Sequence, residues 1–122
     1  SGPLYGADKD AAYAASDVLL FPSLSENFGN TVLEAMAAGH PVVCTPAVGA
    51  SALVRAADCG FVVERSVEAL ADALRTLVAD DGLRERMGEA GRRAAAEHSW
   101  DAKAAEMEQV YQRCIAVSAR AA

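Results

Sequence analysis

Ser23-Leu-Ser-Glu26-Asn-Phe-Gly29-Asn-Thr-Val-Leu-Glu34-Ala-Met-Ala-Ala-Gly39 is the stretch on which the fold of this chain turns. Before it stands Val18-Leu-Leu-Phe21, a continuous apolar run ended by Pro22, as in a strand covered on both faces. After Gly29 the period becomes helical. Val32, Leu33, Met36 and Ala37 form an apolar stripe on a helix predicted over residues 30–38, with Gly39 as its C′ residue. A buried strand thus empties through a short polar loop into a helix, with Glu26 in the loop and Glu34 one turn into the helix. The first amides of a helix lack intrahelical partners and sit at the positive end of its dipole, so they can take an anion. Carboxylates are acceptor-only groups, and each can take hydrogen bonds from hydroxyls. The layout suits a ligand with one anionic and one polyhydroxyl part.

Working outward, Pro41-Val-Val-Cys44 reads as a second buried strand, residues 51–58 as a helix, and Gly60-Phe-Val-Val63 as a third strand. Buried strands alternating with helices mean a parallel sheet with crossover helices. Upstream, Gly2-Pro-Leu-Tyr-Gly6 reads as a clipped strand and a turn. Asp8 caps a short helix through Ser16, with Ala12, Tyr13 and Ala15 inward. The last half is helical. Ser66 caps a helix striped by Val67, Leu70, Leu74, Leu77 and Val78, and a weaker stripe follows at Leu83, Met87, Ala90 and Ala94. Ser99 caps a final helix with Met107, Val110, Tyr111, Cys114 and Ile115 on one face, and residues 116–122 are expected to fray. In open parallel sheets, ligands bind beyond the carboxyl ends of the strands. The loop holding Glu26 and Gly29 and the loop from Thr45 to Gly49 lie beyond two neighbouring ends.

The 122 residues suffice for one core, burying roughly two-thirds of the unfolded surface. A net charge of -6, from 17 acidic against 11 basic residues, argues against nucleic acid or an anionic membrane as the main partner. Cys44, Cys59 and Cys114 are odd in number, widely spaced and set among apolar neighbours, which suits buried free thiols in a reducing compartment. No apolar run approaches ~18 residues and no charged-then-apolar leader opens the chain, so a cytoplasmic location is expected.

Spacing alone says little about the two acids, since Glu89 and Glu97 stand at the same separation on a solvent-facing helix. Their context, between a buried strand and a Gly-Pro-bounded helix, is what distinguishes Glu26 and Glu34. No Gly-x-Gly-x-x-Gly, phosphate-binding loop or Cys-x-x-Cys is present. His40 and His98 have no partner at metal-ligand spacing and read as structural, so no metal or cofactor is expected. Arg84, Arg86, Arg92 and Arg93 alternate with Glu85, Glu89 and Glu97, which describes a solvated helix.

The segment D-V-L-L-F-P-S-L-S-E-N-F-G-N-T-V-L-E-A-M-A-A-G, residues 17–39, resembles the donor-site signature of the retaining GT-B glycosyltransferases grouped as family 4. The likeness runs from Gly2-Pro-Leu-Tyr-Gly through Ser99-Trp100 to the final helix, with a specific centre and weak flanks. It implies an α/β fold: a partial Rossmann-like parallel sheet with flanking helices and an all-helical C-terminal third. It further implies a nucleotide-diphosphate sugar as substrate, a UDP- or GDP-sugar, bound between two domains and transferred with retention. Carried over by residue, Glu26 is the candidate catalytic group and contacts the sugar hydroxyls, joined by the amides of Asn27, Phe28 and Gly29. Amides near Asn30 and Thr31 meet the diphosphate, Glu34 takes both ribose hydroxyls, and Leu4 and Lys9 lie at the nucleobase. The Phe28 ring is expected to pack under the loop, and Ser23 and Ser25 to form turns.

Two departures stand out. Where many relatives carry Gly-Gly-x-x-Glu after the second strand, this chain has Val48-Gly49-Ala50-Ser51-Ala52, so that acid is absent. From Asp10 to Val54 there is no Lys or Arg, although a diphosphate carries about two negative charges. The family takes an Arg and a Lys from earlier strands. The resemblance therefore implies that residues 1–122 are the last part of a larger enzyme, inactive without its acceptor-binding domain. The competing reading is a non-catalytic module that self-associates through an unpaired sheet edge or its final helix. An epimerase or phosphorylase on the same architecture is a third.

Overall fold

Val42, Val43 and Cys44 form the middle strand of the molecule, and all three are fully buried. The computed structural model describes residues 2–121, apart from the side chains at 100, 102, 114 and 116–121. The order is α1 (Gly6–Ala14), β1 (Leu19–Phe21), α2 (Asn30–Ala38), β2 (Val42–Cys44), α3 (Ser51–Ala56), β3 (Gly60–Val62), α4 (Val67–Ala79), α5 (Asp81–Glu97) and α6 (Trp100–Ala121). The strands pair in parallel in the order β1-β2-β3, with Leu19 opposite Val42 and Val42 opposite Gly60. Successive side chains of a strand point to opposite faces, so β2 feeds two cores. Val42 and Cys44 pack with Val32, Ala35 and Met36 of α2 and Val54 of α3, while Val43 packs with Ala73, Leu77 and Met87 from α4 and α5. The α/β class, the parallel sheet and the helical last third all stand as expected.

Several expectations need correction. Residues 2–5 form no strand; Tyr5 is extended and leads directly into α1, whose cap position it holds, while Asp8 lies inside the first turn. Ala12 and Ala15 are exposed, and Tyr13 alone turns half inward, because α1 rests on α2 along a narrow line. β1 is an edge strand among the described residues, and Leu20 is 41% exposed, so its apolar run is not covered on both faces. On α2 the buried residues are Val32, Ala35 and Met36, with Ala37 exposed.

The last difference has its cause in α5. A Cβ on Gly88 would collide with Gly39 O, and one on Gly91 would lie 3.4 Å from Met36 Cα. Small residues let the two helices meet almost backbone to backbone, and this contact sets which face of α2 is inward. Arg92 adds a hydrogen bond to Ala38 O at 3.1 Å. Two of the expected caps are present: Ser66 Oγ accepts from Ala69 N at 3.1 Å, and Gly39 takes a left-handed conformation with φ 86° after α2. Val67 and Val78, assigned to the α4 stripe, are exposed, and Ala73 takes the inward place.

Cys44 and Cys59 are free, buried thiols, and burial pushes Cys59 up to about 11. The Cys114 side chain lies outside the described residues. α6 runs to Ala121, with Met107, Val110, Tyr111 and Ile115 exposed; Ala122 lies outside the described residues. Among the described residues, no helix is long and apolar enough to cross a membrane.

Candidate functional site

The loops that follow β1 and β2 are zipped together. Glu26 and Val48 form an isolated parallel bridge. Glu26 N donates to Ala47 O at 3.2 Å, Gly49 N to Glu26 O at 3.0 Å, and Ala50 N to Phe28 O at 2.8 Å. Thr45 Oγ1 donates to Ser23 O at 2.6 Å, and Ser23 Oγ closes the turn on Ser25 O at 3.2 Å. Gly49 sits where the two backbones meet, since any Cβ there would collide with Asn27 O. Gly29 ends the loop with φ 87°, a left-handed conformation natural to glycine, and so turns the chain into α2.

The start of α2 is open. No side chain caps it and no acid lies in its first turn. Val32 N turns back to Gly29 O at 2.8 Å, and among the described residues no backbone carbonyl takes the amides of Asn30 and Thr31. Unpartnered donors at the positive end of a helix favour an anion.

Glu34, one turn on, is held from α1. Lys9 Nζ lies 2.9 Å from Oε1, and the Tyr13 hydroxyl donates to Oε2 at 3.2 Å, with Thr31 O as a second acceptor at 3.4 Å. Lys9 and Tyr13 are four apart on α1, so both face α2. Tyr13 is itself fixed. Its ring stacks on His40 with centroids 6.4 Å apart, and its carbonyl oxygen meets His40 Nε2 at 2.7 Å and accepts from Ser16 Oγ at 3.0 Å. Burial, the hydrogen bond to Glu34 and the Glu34 charge, in that order, raise the Tyr13 phenol from 10.0 to about 12. The Lys9 and Glu34 side chains remain 39% and 41% exposed. An ion pair that open adds only ~0–1 kcal/mol of stability. Its consequence is orientation.

Glu34 borders three hollows. Leu4, Lys9, Tyr13, Thr31 and Glu34 line a cleft of about 510 Å³ between residues 2–5, α1 and α2. Phe28, Asn30, Leu33, His98 and Lys103 line a hollow of about 430 Å³ on its other side. A third, of about 660 Å³, runs along α2 past Tyr13 and His40 to Arg92.

Residues 2–94 match the family model described as "Glycosyl transferases group 1". The chain belongs to that family. A "D-inositol 3-phosphate glycosyltransferase" of Corynebacterium glutamicum (strain R) is 40% identical over 107 residues, which make up 87% of this chain and 26% of that protein. A sucrose-phosphate synthase structure from Thermosynechococcus elongatus superposes with a TM-score of 0.76 at 33% identity, over 87% of this chain and 27% of the other. A glycosyltransferase structure from Rickettsia africae ESF-5 superposes with a TM-score of 0.79 at 25% identity, over 90% and 30% respectively. The parallel sheet with its flanking helices matches these GT-B neighbours. The chain spans about a quarter of the length of the curated relatives it matches.

Within this group 1 glycosyltransferase segment, Leu4, Lys9, Thr31 and Glu34 share one cleft, and Phe28, Asn30 and Glu34 share the next. Glu26, Asn27 and Gly29 line neither. They lie in the loop zipper, and the Glu26 carboxylate makes no hydrogen bond or ion pair among the described residues. The Phe28 ring does not tuck under its loop; it is 40% exposed and faces the hollow beside Leu33, because the tight approach of Gly49 fills the space beneath. Tyr13, expected only as an inward aromatic, is the residue that sequence reading missed. Its signal is the four-residue spacing from Lys9.

Proposed function

We propose that this chain is the donor-binding, C-terminal part of a retaining GT-B glycosyltransferase of family 4 type, using a UDP- or GDP-sugar. The observation that carries the reading is Glu34, a carboxylate braced on a rigid helix in a cleft that also holds Leu4, Lys9 and Thr31. A ribose diol needs an ionised, fixed acceptor, and Glu34 supplies one. The base then lies along Leu4 and Lys9, and the diphosphate meets the open amides of Asn30 and Thr31. Glu26, with the amides of Asn27, Phe28 and Gly29, faces the transferred sugar as the candidate catalytic group. As the bond from the anomeric carbon to the diphosphate oxygen breaks, its electron pair goes to the diphosphate, where fixed helix-end donors stabilise the growing charge. The acceptor oxygen bonds to the same face of the sugar as its proton passes to the departing diphosphate oxygen.

In this reading the rest of a longer enzyme completes the site. Lys9 is engaged by Glu34, and no other Lys or Arg lies before Arg55. The missing cations and the acceptor pocket come from outside residues 1–122, and this chain alone transfers no sugar. No metal takes part. The free buried thiols Cys44 and Cys59 suit a reducing compartment, in keeping with a cytoplasmic enzyme. Relatives that are glycosyltransferases favour this reading over a self-associating module.

Titration with UDP and with GDP, followed by amide NMR, tests it. Residues 26–34 should shift at millimolar nucleotide. Glu34→Ala should weaken binding by about 10- to 100-fold, in line with hydrogen bonds to a charged group. Glu89→Ala should not, although Glu89 and Glu97 repeat the spacing of Glu26 and Glu34. Silence of residues 26–34 toward both nucleotides would sink the reading.

A further inference from the structure

We propose that Tyr13 is a positioning residue for ribose recognition: its hydroxyl, with Lys9, fills the inner lone-pair sites of Glu34 and leaves one site on each oxygen for the two ribose hydroxyls. The inference rests on the donor-binding reading and adds a residue and a rule of selectivity to it. An ionised carboxylate offers about four acceptor sites. Tyr13 takes one on Oε2 at 3.2 Å, and Lys9 takes one on Oε1 at 2.9 Å. Two remain, one per oxygen, and a vicinal diol presents two donors with matching separation. The Glu34 side chain is 41% exposed, so the remaining sites are open to a ligand.

The brace is rigid where it needs to be. The Tyr13 ring stacks on His40 at an interplanar angle of 17°, and its carbonyl oxygen is held by His40 and Ser16. Its single proton has two candidate acceptors, Thr31 O at 3.4 Å and Glu34 Oε2 at 3.2 Å, and the carboxylate is both nearer and charged. Losing that donor frees the carboxylate to rotate and adds an unfilled site facing α1. A one-hydroxyl sugar then binds about as well as a diol. Lys9 meets Oε1 alone, and one contact on one oxygen does not fix the carboxylate plane.

The experiment compares UDP with 2′-deoxy-UDP, and GDP with 2′-deoxy-GDP, by calorimetric titration of the 122-residue chain and its Tyr13→Phe variant. The expected result is a ribose preference in the parent that Tyr13→Phe reduces by about threefold to tenfold, the worth of one hydrogen bond. Affinity for the deoxy forms should stay the same. Equal weakening of ribo and deoxy forms would make Tyr13 merely structural and overturn the inference, as would an unchanged preference. Failure of the parent to bind any of the four nucleotides would overturn the donor-binding reading and this inference together. Should Tyr13→Phe unfold, 3-fluorotyrosine at position 13 keeps the ring and strengthens the donor. The ribose preference should then rise, and a fixed preference overturns the inference.

Discussion

The helix that carries Glu34 and the loop that carries Glu26 hold their acids in opposite ways. The Glu34 side chain is pinned by Lys9 and Tyr13, while its backbone is an ordinary turn of α2. The Glu26 backbone is clasped by Ala47 and Gly49, while its carboxylate has no partner among the described residues. A side chain already ordered by its own chain loses little rotamer freedom when a ligand arrives. One ordered only through its backbone leaves that choice to the ligand or to a facing wall. The ribose end of the proposed site is therefore built by this chain, and the sugar end is only framed by it.

The most disruptive way to break the contrast is to remove the floor common to both. Met36 is fully buried beneath α2, and Met36→Ala should cost ~2–5 kcal/mol in urea unfolding. A loss below ~1 kcal/mol would mean that the surroundings collapse into the space. Gly49→Ala should break the Glu26 side alone. Its Cβ is driven into Asn27 O, so about 1–3 kcal/mol of stability should go. Hydrogen exchange should then quicken at the Glu26 and Gly49 amides but not along α2. Equal quickening in both places would mean that the loops and the helix are one unit.

Two smaller effects sharpen the Glu34 side. The Tyr13 phenol stands at about 12 against 10.0 in its ordinary state. The raised value means that the fold favours the protonated phenol. Its contribution to stability is whole below pH 10 and is lost as pH rises from there toward 12. Urea midpoints of the parent should fall more steeply across that window than those of Tyr13→Phe, and parallel curves would mean that the fold does not favour the protonated phenol. Smallest is Lys9→Met, with a stability change of ~0–1 kcal/mol that about 1 M salt should erase.

The strand-loop-helix unit is legible in the sequence because each of its signals is local. An apolar run stops at Pro22, Gly29 turns the chain, and the helix occupies residues 30–38 as its period and Gly39 predict. The central strand is equally plain, since Val42, Val43 and Cys44 are apolar and covered on both faces. What stays hidden is set by partners remote in sequence. Ala35 and Ala37 are equally good inward residues on a helical wheel, and the choice falls to Gly88 and Gly91 of α5, which a search for large apolar side chains passes over. Leu20 looks as buried as Leu19, and its exposure follows from the edge position of β1. At the site, the type and place of Glu34 can be read directly. The hydroxyl that holds it comes from 21 residues away; the spacing of Lys9 and Tyr13 puts both on one face of α1, but only the contact between helices brings that face to Glu34.

The bridge between Glu26 and Val48 bears on how such proteins can be recombined. Its hydrogen bonds are backbone to backbone, so a chimera that replaces residues 23–29 with a loop of another length, leaving residues 45–50 in place, would lose the register of the seam. Loop swaps should carry both segments as one cassette.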